Sequence, residues 1–145
     1  MKSFRVLLCG TFLAPLAAGC DAVRSIIGPS TTSVSMVNNS EDYAVDATLF
    51  ISDEQDVPED VLTELGTELT FSIGPGESTS FTRDCDELQA IIVENAELRV
   101  LGGLGPETGT DVLRDGTDFG CGDRIVFTFD HSELILDFDV TASVP

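Results

Sequence analysis

The sequence predicts an all-β domain, a two-sheet antiparallel sandwich of Ig-like or Greek-key type with one short helix; a small β-barrel is the alternative. Two observations point there. From Val34 to Val140 the chain is a series of short alternating or β-branched runs, the period-2 pattern of half-buried strands. Clusters of Gly, Pro, Asn, Asp and Ser interrupt them about every 8 to 12 residues, the spacing of sandwich turns. No internal repeat supports a solenoid or propeller.

The elements follow in order. Ser33 to Val37 and Tyr43 to Ser52 are separated by Asn38-Asn39-Ser40 and read as a hairpin, with Val45, Ala47, Leu49 and Ile51 on one face and Asp46 and Thr48 on the other. Asn38-Asn39-Ser40 also matches the N-glycosylation sequon, but turn chemistry explains it sufficiently. Asp53 to Gly66 is the one helical stretch. Pro58 suits a first helical position, Glu59 and Asp60 complement the N-terminal dipole, Val61, Leu62 and Leu65 share a face, and Gly66 ends it. Leu69, Phe71 and Ile73 alternate up to Gly74-Pro75-Gly76, and Ser78 to Thr82 returns with Phe81 among hydroxyls, a second expected hairpin.

Beyond Cys85, the run Ala90-Ile91-Ile92-Val93 reads as a strand buried on both faces, because three successive β-branched residues disfavour helix. A turn at Glu94-Asn95-Ala96 precedes a strand over Glu97 to Leu101. Gly102 to Thr110 reads as a loop, Asp111 to Arg114 as a short run, and Asp115-Gly116 as a turn. In the last pair, Ile125, Phe127 and Phe129 face one way, and Leu134, Leu136, Phe138 and Val140 alternate beyond the turn Asp130-His131-Ser132. The domain should span residues 32–144.

Ahead of it the chain reads as charge, grease and small residues. Lys2 and Arg5 precede the apolar run Val6 to Ala18, which is broken by Gly10, Thr11 and Pro15 and ends at Leu16-Ala17-Ala18-Gly19-Cys20. This is the layout of a secretory signal, too short for a spanning helix, which needs roughly 20 apolar residues. The last five residues resemble the lipobox of bacterial lipoproteins, although Ala17 stands three before the cysteine where that pattern most often has Leu. The resemblance implies cleavage after Gly19 and a diacylglyceryl thioether on Cys20. Residues 1–19 are then the cleaved signal and 20–31 the lipidated cysteine and a tether. The protein would be exported and lipid-anchored to a bacterial membrane, on its periplasmic or cell-surface side, with the membrane as its first partner. In enterobacteria-like sorting, Asp21 after the cysteine implies inner-membrane retention. An ordinary signal-peptidase site ending Ala17-Ala18-Gly19 is the competing reading.

Cys9 leaves with the signal and Cys20 takes lipid, so Cys85 and Cys121 remain, and in an exported chain they are expected to pair. Free thiols are one alternative. A metal is another, but two cysteines 36 positions apart without a C-x-x-C or a nearby His lack zinc spacing.

The chain has 145 residues, 26 Asp plus Glu against 7 Lys plus Arg, and a formal charge of −19; removal of Lys2 and Arg5 takes the mature 126 residues to −21, with five Arg and no Lys. A phosphate backbone would repel such a surface, so nucleic acid is not an expected partner. A Lys-free, Asp-rich surface also resembles those of salt-adapted proteins, where screening suppresses self-repulsion.

Acids cluster in three places. Asp53, Glu54, Asp56 and Asp60 share one loop, Asp84, Asp86 and Glu87 flank Cys85, and Asp115, Asp118 and Asp123 flank Cys121. A disulfide would bring the last two groups together. They are then candidate Ca²⁺ ligands, though no EF-hand spacing is present and Arg83, Arg114 and Arg124 stand ready to neutralise the same charges. No other cofactor is indicated.

No catalytic residue is nominated. The chain has no G-x-S-x-G, H-E-x-x-H or P-loop, and Gly102-Gly103-Leu104-Gly105 and Gly120-Cys121-Gly122 lack the strand-to-helix setting of a phosphate cradle. His131, the single histidine, reads as an exposed turn residue. The expectation is a non-enzymatic structural or interaction module with an unidentified envelope protein as partner. Calcium-assisted binding of a protein or glycan and a carboxylate-based hydrolase are the alternatives. With no Trp and one Tyr, Tyr43, the chain is poorly equipped with the aromatic platforms glycans rest on.

Overall fold

The computed structural model describes residues 29–100, 103, 105–132 and 135–145. The expected signal, Cys20, the expected tether before Pro29, and Leu134 of the expected last strand lie outside the described residues. Among the described residues there are nine strands, one helix and one 3₁₀ turn: β1 Thr31–Asn38, β2 Ala44–Ser52, α1 Glu59–Leu65, β3 Thr67–Ile73, β4 Ser78–Asp84, β5 Ala90–Arg99, β6 Glu107–Thr108, β7 Leu113–Arg114, β8 Arg124–Asp130, the 3₁₀ turn Ile135–Asp137, and β9 Asp139–Ser143. They form two sheets, β4-β1-β8-β9 and β3-β2-β5-β6, with β7 also on β5. The architecture is a two-sheet sandwich and no barrel closes. Every pairing of named strands is antiparallel except β1 with β8, where the first strand lies parallel to the eighth, Val34 beside Ile125 and Met36 beside Phe127.

The core sits between the sheets. Val34 and Met36, Val45 and Leu49, Ile91, Val93 and Leu98, and Ile125, Phe127 and Phe129 are fully buried there. The alternation of β2 holds over its whole length. The double burial expected of Ala90 to Val93 is also present: Ile91 and Val93 enter the main core, while Ala90 and Ile92 face outward into a second cluster under α1, with Val57, Leu62 and the half-buried Phe50, Val61 and Val112. The helix is thus a lid on half of one sheet's outer face. Gly66 stops it by donating its N–H to the Leu62 carbonyl at 2.8 Å; a Cβ there would lie 2.4 Å from that oxygen.

Both expected hairpins are corrected. β1 and β2 belong to different sheets, and so do β3 and β4. Asn38, 1% exposed, supplies the reason: its Nδ2 donates to the carbonyls of Tyr43 at 2.9 Å, Ile73 at 3.2 Å and Gly74 at 3.0 Å, and its Oδ1 accepts the Ser40 N–H at 3.0 Å. The two connections also bond each other, Gly76 N–H to the Ser40 carbonyl and Asn38 N–H to the Glu77 carbonyl. Backbone groups that would close hairpins are spent tying two sheet-to-sheet crossings together. The burial of Asn38 also excludes the sequon as a glycan acceptor in the folded chain.

Two further expectations change. The turn at Glu94-Asn95-Ala96 is a β-bulge inside one continuous strand, since Thr48 pairs with Asn95 and Leu49 with Val93, leaving Glu94 unpaired. The final strand starts later than its alternation implied: Ile135–Asp137 form a 3₁₀ turn with Leu136 90% exposed, and β9 pairs with β8 only from Asp139. Outward positions of the β4-β1-β8-β9 sheet carry the hydroxyls Ser78, Ser80, Thr82, Ser33, Thr128 and Thr141 along the strands, with Asp84, Asp130 and Asp139 at strand ends.

Candidate functional site

One end of the sandwich gathers the segments the sequence singled out. β4 ends, β1 begins and β8 begins there, and β1 lies between the other two. Strands in a sheet are about 4.8 Å apart, so two flanking strands are separated by roughly 10 Å. The chain past β4 and before β8 closes that gap beneath β1: Cys85 and Cys121 form the expected disulfide, with a Cα–Cα distance of 5.4 Å. The segment entering β1 is gripped from both sides, since Cys85 N–H donates to the Ser30 carbonyl at 2.9 Å and Ser33 N–H to the Asp123 carbonyl at 3.1 Å. Gly122, at φ 95°, packs so tightly that a Cβ would fall 2.4 Å from Pro29 Cγ.

The acids around the disulfide serve local turns. Asp123 Oδ2 accepts the Gly120 N–H at 2.7 Å, and Asp118 Oδ2 accepts the Arg114 N–H at 2.8 Å. Asp84, Asp86 and Glu87 stay exposed at the end of β4, and Asp115 gives its backbone carbonyl to the Gln55 side chain. Among the described residues no three His, Cys, Asp or Glu side chains gather around one cation-sized position. The disulfide therefore joins the two segments without focusing their carboxylates.

The arginines expected to neutralise these acids do otherwise. Arg114 Nη1 donates to the Gln55 carbonyl, Arg124 Nε to Ser35 Oγ at 3.2 Å, and the Arg83 guanidinium lies 5.9 Å from the Phe81 ring centre. Among the described residues the one ion pair is Arg99 with Asp46, at 3.0 Å on the other sheet. Beside the disulfide, a groove of about 340 Å³ opens between the end of α1 and the end of β4, lined by Ile51, Asp53, Leu65, Gly66, Arg83 and Glu87, together with Ser52 and Thr67.

The opposite end holds the site that sequence reasoning missed. His131 is half-buried: its Nε2 lies 2.8 Å from Ser40 Oγ, its Nδ1 2.7 Å from the Ser132 carbonyl, and its ring packs at 58° to Tyr43. A carbonyl only accepts, so Nδ1 carries a proton, and in the neutral ring Nε2 accepts the Ser40 hydroxyl. Ser40 Oγ in turn accepts the Tyr43 N–H at 3.0 Å. A serine paired with a histidine invites a nucleophilic reading. Ser40 is 3% exposed, however, and its oxygen holds a backbone turn, so the pair is a latch between the β1–β2 and β8–β9 connections. Nearby, hydrogen bonds from Ser132, first its side chain and then its backbone N–H at 2.8 Å, hold the Asp137 carboxyl below the ordinary carboxylate value, with a smaller attraction from His131.

No family model matches the chain, and no curated protein matches it. Among solved structures it is similar to the NMR structure of a protein from Eubacterium rectale, at 15% identity and a TM-score of 0.44, over 80% of this chain and 89% of that one. It is also similar to the membrane pore complex of Pneumolysin, at 12% identity and a TM-score of 0.31, over 81% of this chain and 23% of that one. Neither likeness is close enough to carry an argument about this chain.

Proposed function

We propose that this is a lipid-anchored protein of the bacterial cell envelope, held through Cys20, whose sandwich acts as a non-enzymatic structural or interaction module. The observation that carries the reading is how the chain enters its domain. Pro29 and Ser30 are seated against Gly122 and Cys85, so the segment leading back to Cys20 departs from a cross-linked, rigid end of the sandwich. A tethered module needs such a firm attachment point, and the disulfide fits an oxidising, non-cytoplasmic compartment. Among the described residues no helix is long and apolar enough to cross a membrane. Several acyl chains on one cysteine would suffice for stable attachment, at about 0.8 kcal/mol per buried CH₂.

The reading is tested by detergent-phase partitioning of cells expressing the full chain or its Cys20→Ser variant. Wild type should follow the detergent phase and the variant the aqueous phase. Wild type in the aqueous phase, or a variant that still follows detergent, contradicts it.

A further inference from the structure

The groove beside the disulfide has a chemistry that a purely structural role leaves unused. Its floor is Ile51, 4% exposed. One wall is Leu65 and Gly66 at the end of α1, and the other is Arg83 and Glu87, with Asp53 at the rim. Two features stand out. Leu65 is 80% exposed, and among the described residues only Leu136, at the far end of the sandwich, is a comparably exposed large apolar side chain. Arg83, on a chain with an overwhelming excess of acid, has no carboxylate within 4 Å among the described residues.

We propose that this groove takes the zwitterionic headgroup of a phosphoethanolamine-type phospholipid from the membrane that holds the anchor. The Arg83 guanidinium receives the phosphate, the Asp53 and Glu87 carboxylates receive the ammonium, and Leu65 meets the start of the acyl chains. The inference rests on the lipid-anchor reading and names what the anchored end touches. A purely anionic headgroup would meet two carboxylates and the field of a −21 chain, and a simple cation would leave Arg83 unmatched. An ampholyte with an apolar tail matches cation, acids and Leu65 together.

Position supports the same partner. The groove lies at the end where the chain enters β1, and Pro29 is nine positions after Cys20. Even fully extended, nine backbone steps span no more than about 32 Å. A headgroup confined within that radius is present at millimolar effective concentration or above, so a contact with a millimolar Kd is occupied once the chain is anchored.

The test is NMR on the mature chain, residues 20–145, with Cys20→Ser, titrated at constant ionic strength with O-phosphoethanolamine, glycerol 3-phosphate or ethanolamine. The expected result is saturable millimolar shifts from O-phosphoethanolamine, confined to amides near Ile51, Leu65 to Thr67 and Arg83 to Glu87. The two half-ligands should bind about tenfold more weakly, as should O-phosphoethanolamine to Arg83→Gln. The lipidated chain in bicelles should show the same shifts with phosphatidylethanolamine and lose them with phosphatidylglycerol. Shifts scattered over the surface, none up to saturation of the buffer, or undiminished shifts in Arg83→Gln overturn the proposal. A silent groove on a chain acylated at Cys20 sinks this inference alone. Groove binding combined with mass spectrometry that finds the native chain unacylated at Cys20 overturns the membrane source and the anchor reading with it.

Discussion

Replacing Asn38 by alanine should cost this fold more than almost any other single polar change. The side chain is 1% exposed and bonds three carbonyls and one N–H on two crossings, with its two N–H groups shared among the carbonyls of Tyr43, Ile73 and Gly74. Removing two donors and one acceptor from a buried position loses about 1 kcal/mol or somewhat more each, giving about 3–4 kcal/mol in all. For a domain of about this size, 1 kcal/mol moves Tm by about 3–5 °C, so Asn38→Ala should melt about 10–20 °C lower. Asn38→Asp sharpens the test. It keeps the shape but turns a carboxylate oxygen toward three carbonyls, so it should be worse than alanine at neutral pH. Exposed Asn39, which bonds Asp130 at 3.0 Å, is the control, and its alanine variant should lose less than 1 kcal/mol. Thermal and urea unfolding of the three variants provide the assay. An Asn38→Ala loss below 1 kcal/mol, or an aspartate milder than alanine, would refute the clamp.

Reducing the disulfide, or replacing both Cys85 and Cys121 by alanine, should remove about 4 kcal/mol, the chain-entropy value for a 36-residue separation, and loosen the grip on Ser30 as read by hydrogen exchange of Cys85 and Ser33. Because the Asp137 carboxyl is held below its ordinary value of 3.8, it stabilises the folded state above that value, and the contribution disappears as pH falls through the lower folded value. Ser132→Ala should move its NMR titration back up, and an unchanged titration counts against the Ser132 contacts. With −21 on residues 20–145 and one ion pair among the described residues, Tm should rise between 0.1 and 1 M NaCl. CaCl₂ against EGTA at matched ionic strength should add nothing further, whereas a calcium-specific rise abolished by Asp86→Asn or Asp123→Asn would point to a bound cation.

What the sequence made legible was local. The alternation of Val45, Ala47, Leu49 and Ile51, the doubly buried Ala90 to Val93, the helix ending at Gly66 and the pairing of Cys85 with Cys121 follow from period, propensity and elimination, and the structure has them. Turn chemistry at Asn38-Asn39-Ser40 and Gly74-Pro75-Gly76 marked where strands stop. It carries no information about which sheet the next strand joins, and that choice is made by one buried amide reaching carbonyls up to 36 residues away. The Ser40–His131 contact spans 91 residues and left no local signal. Acid clusters suggested a focused site because sequence shows proximity along the chain, whereas Asp118 and Asp123 spend their oxygens on nearby N–H groups. Alternation over Leu134 to Val140 implied a longer strand, yet the carboxylate of Asp137 caps the Ser132 N–H and the chain turns there instead.

The central claim is that Cys20 carries the anchor of a module gripped at its disulfide end. The most direct measurement is mass spectrometry of the N-terminal peptide of the chain extracted from membranes. It should begin at Cys20 and carry the mass of a diacylglyceryl thioether. A chain beginning at Cys20 with a free thiol, or beginning elsewhere without lipid, would contradict the account.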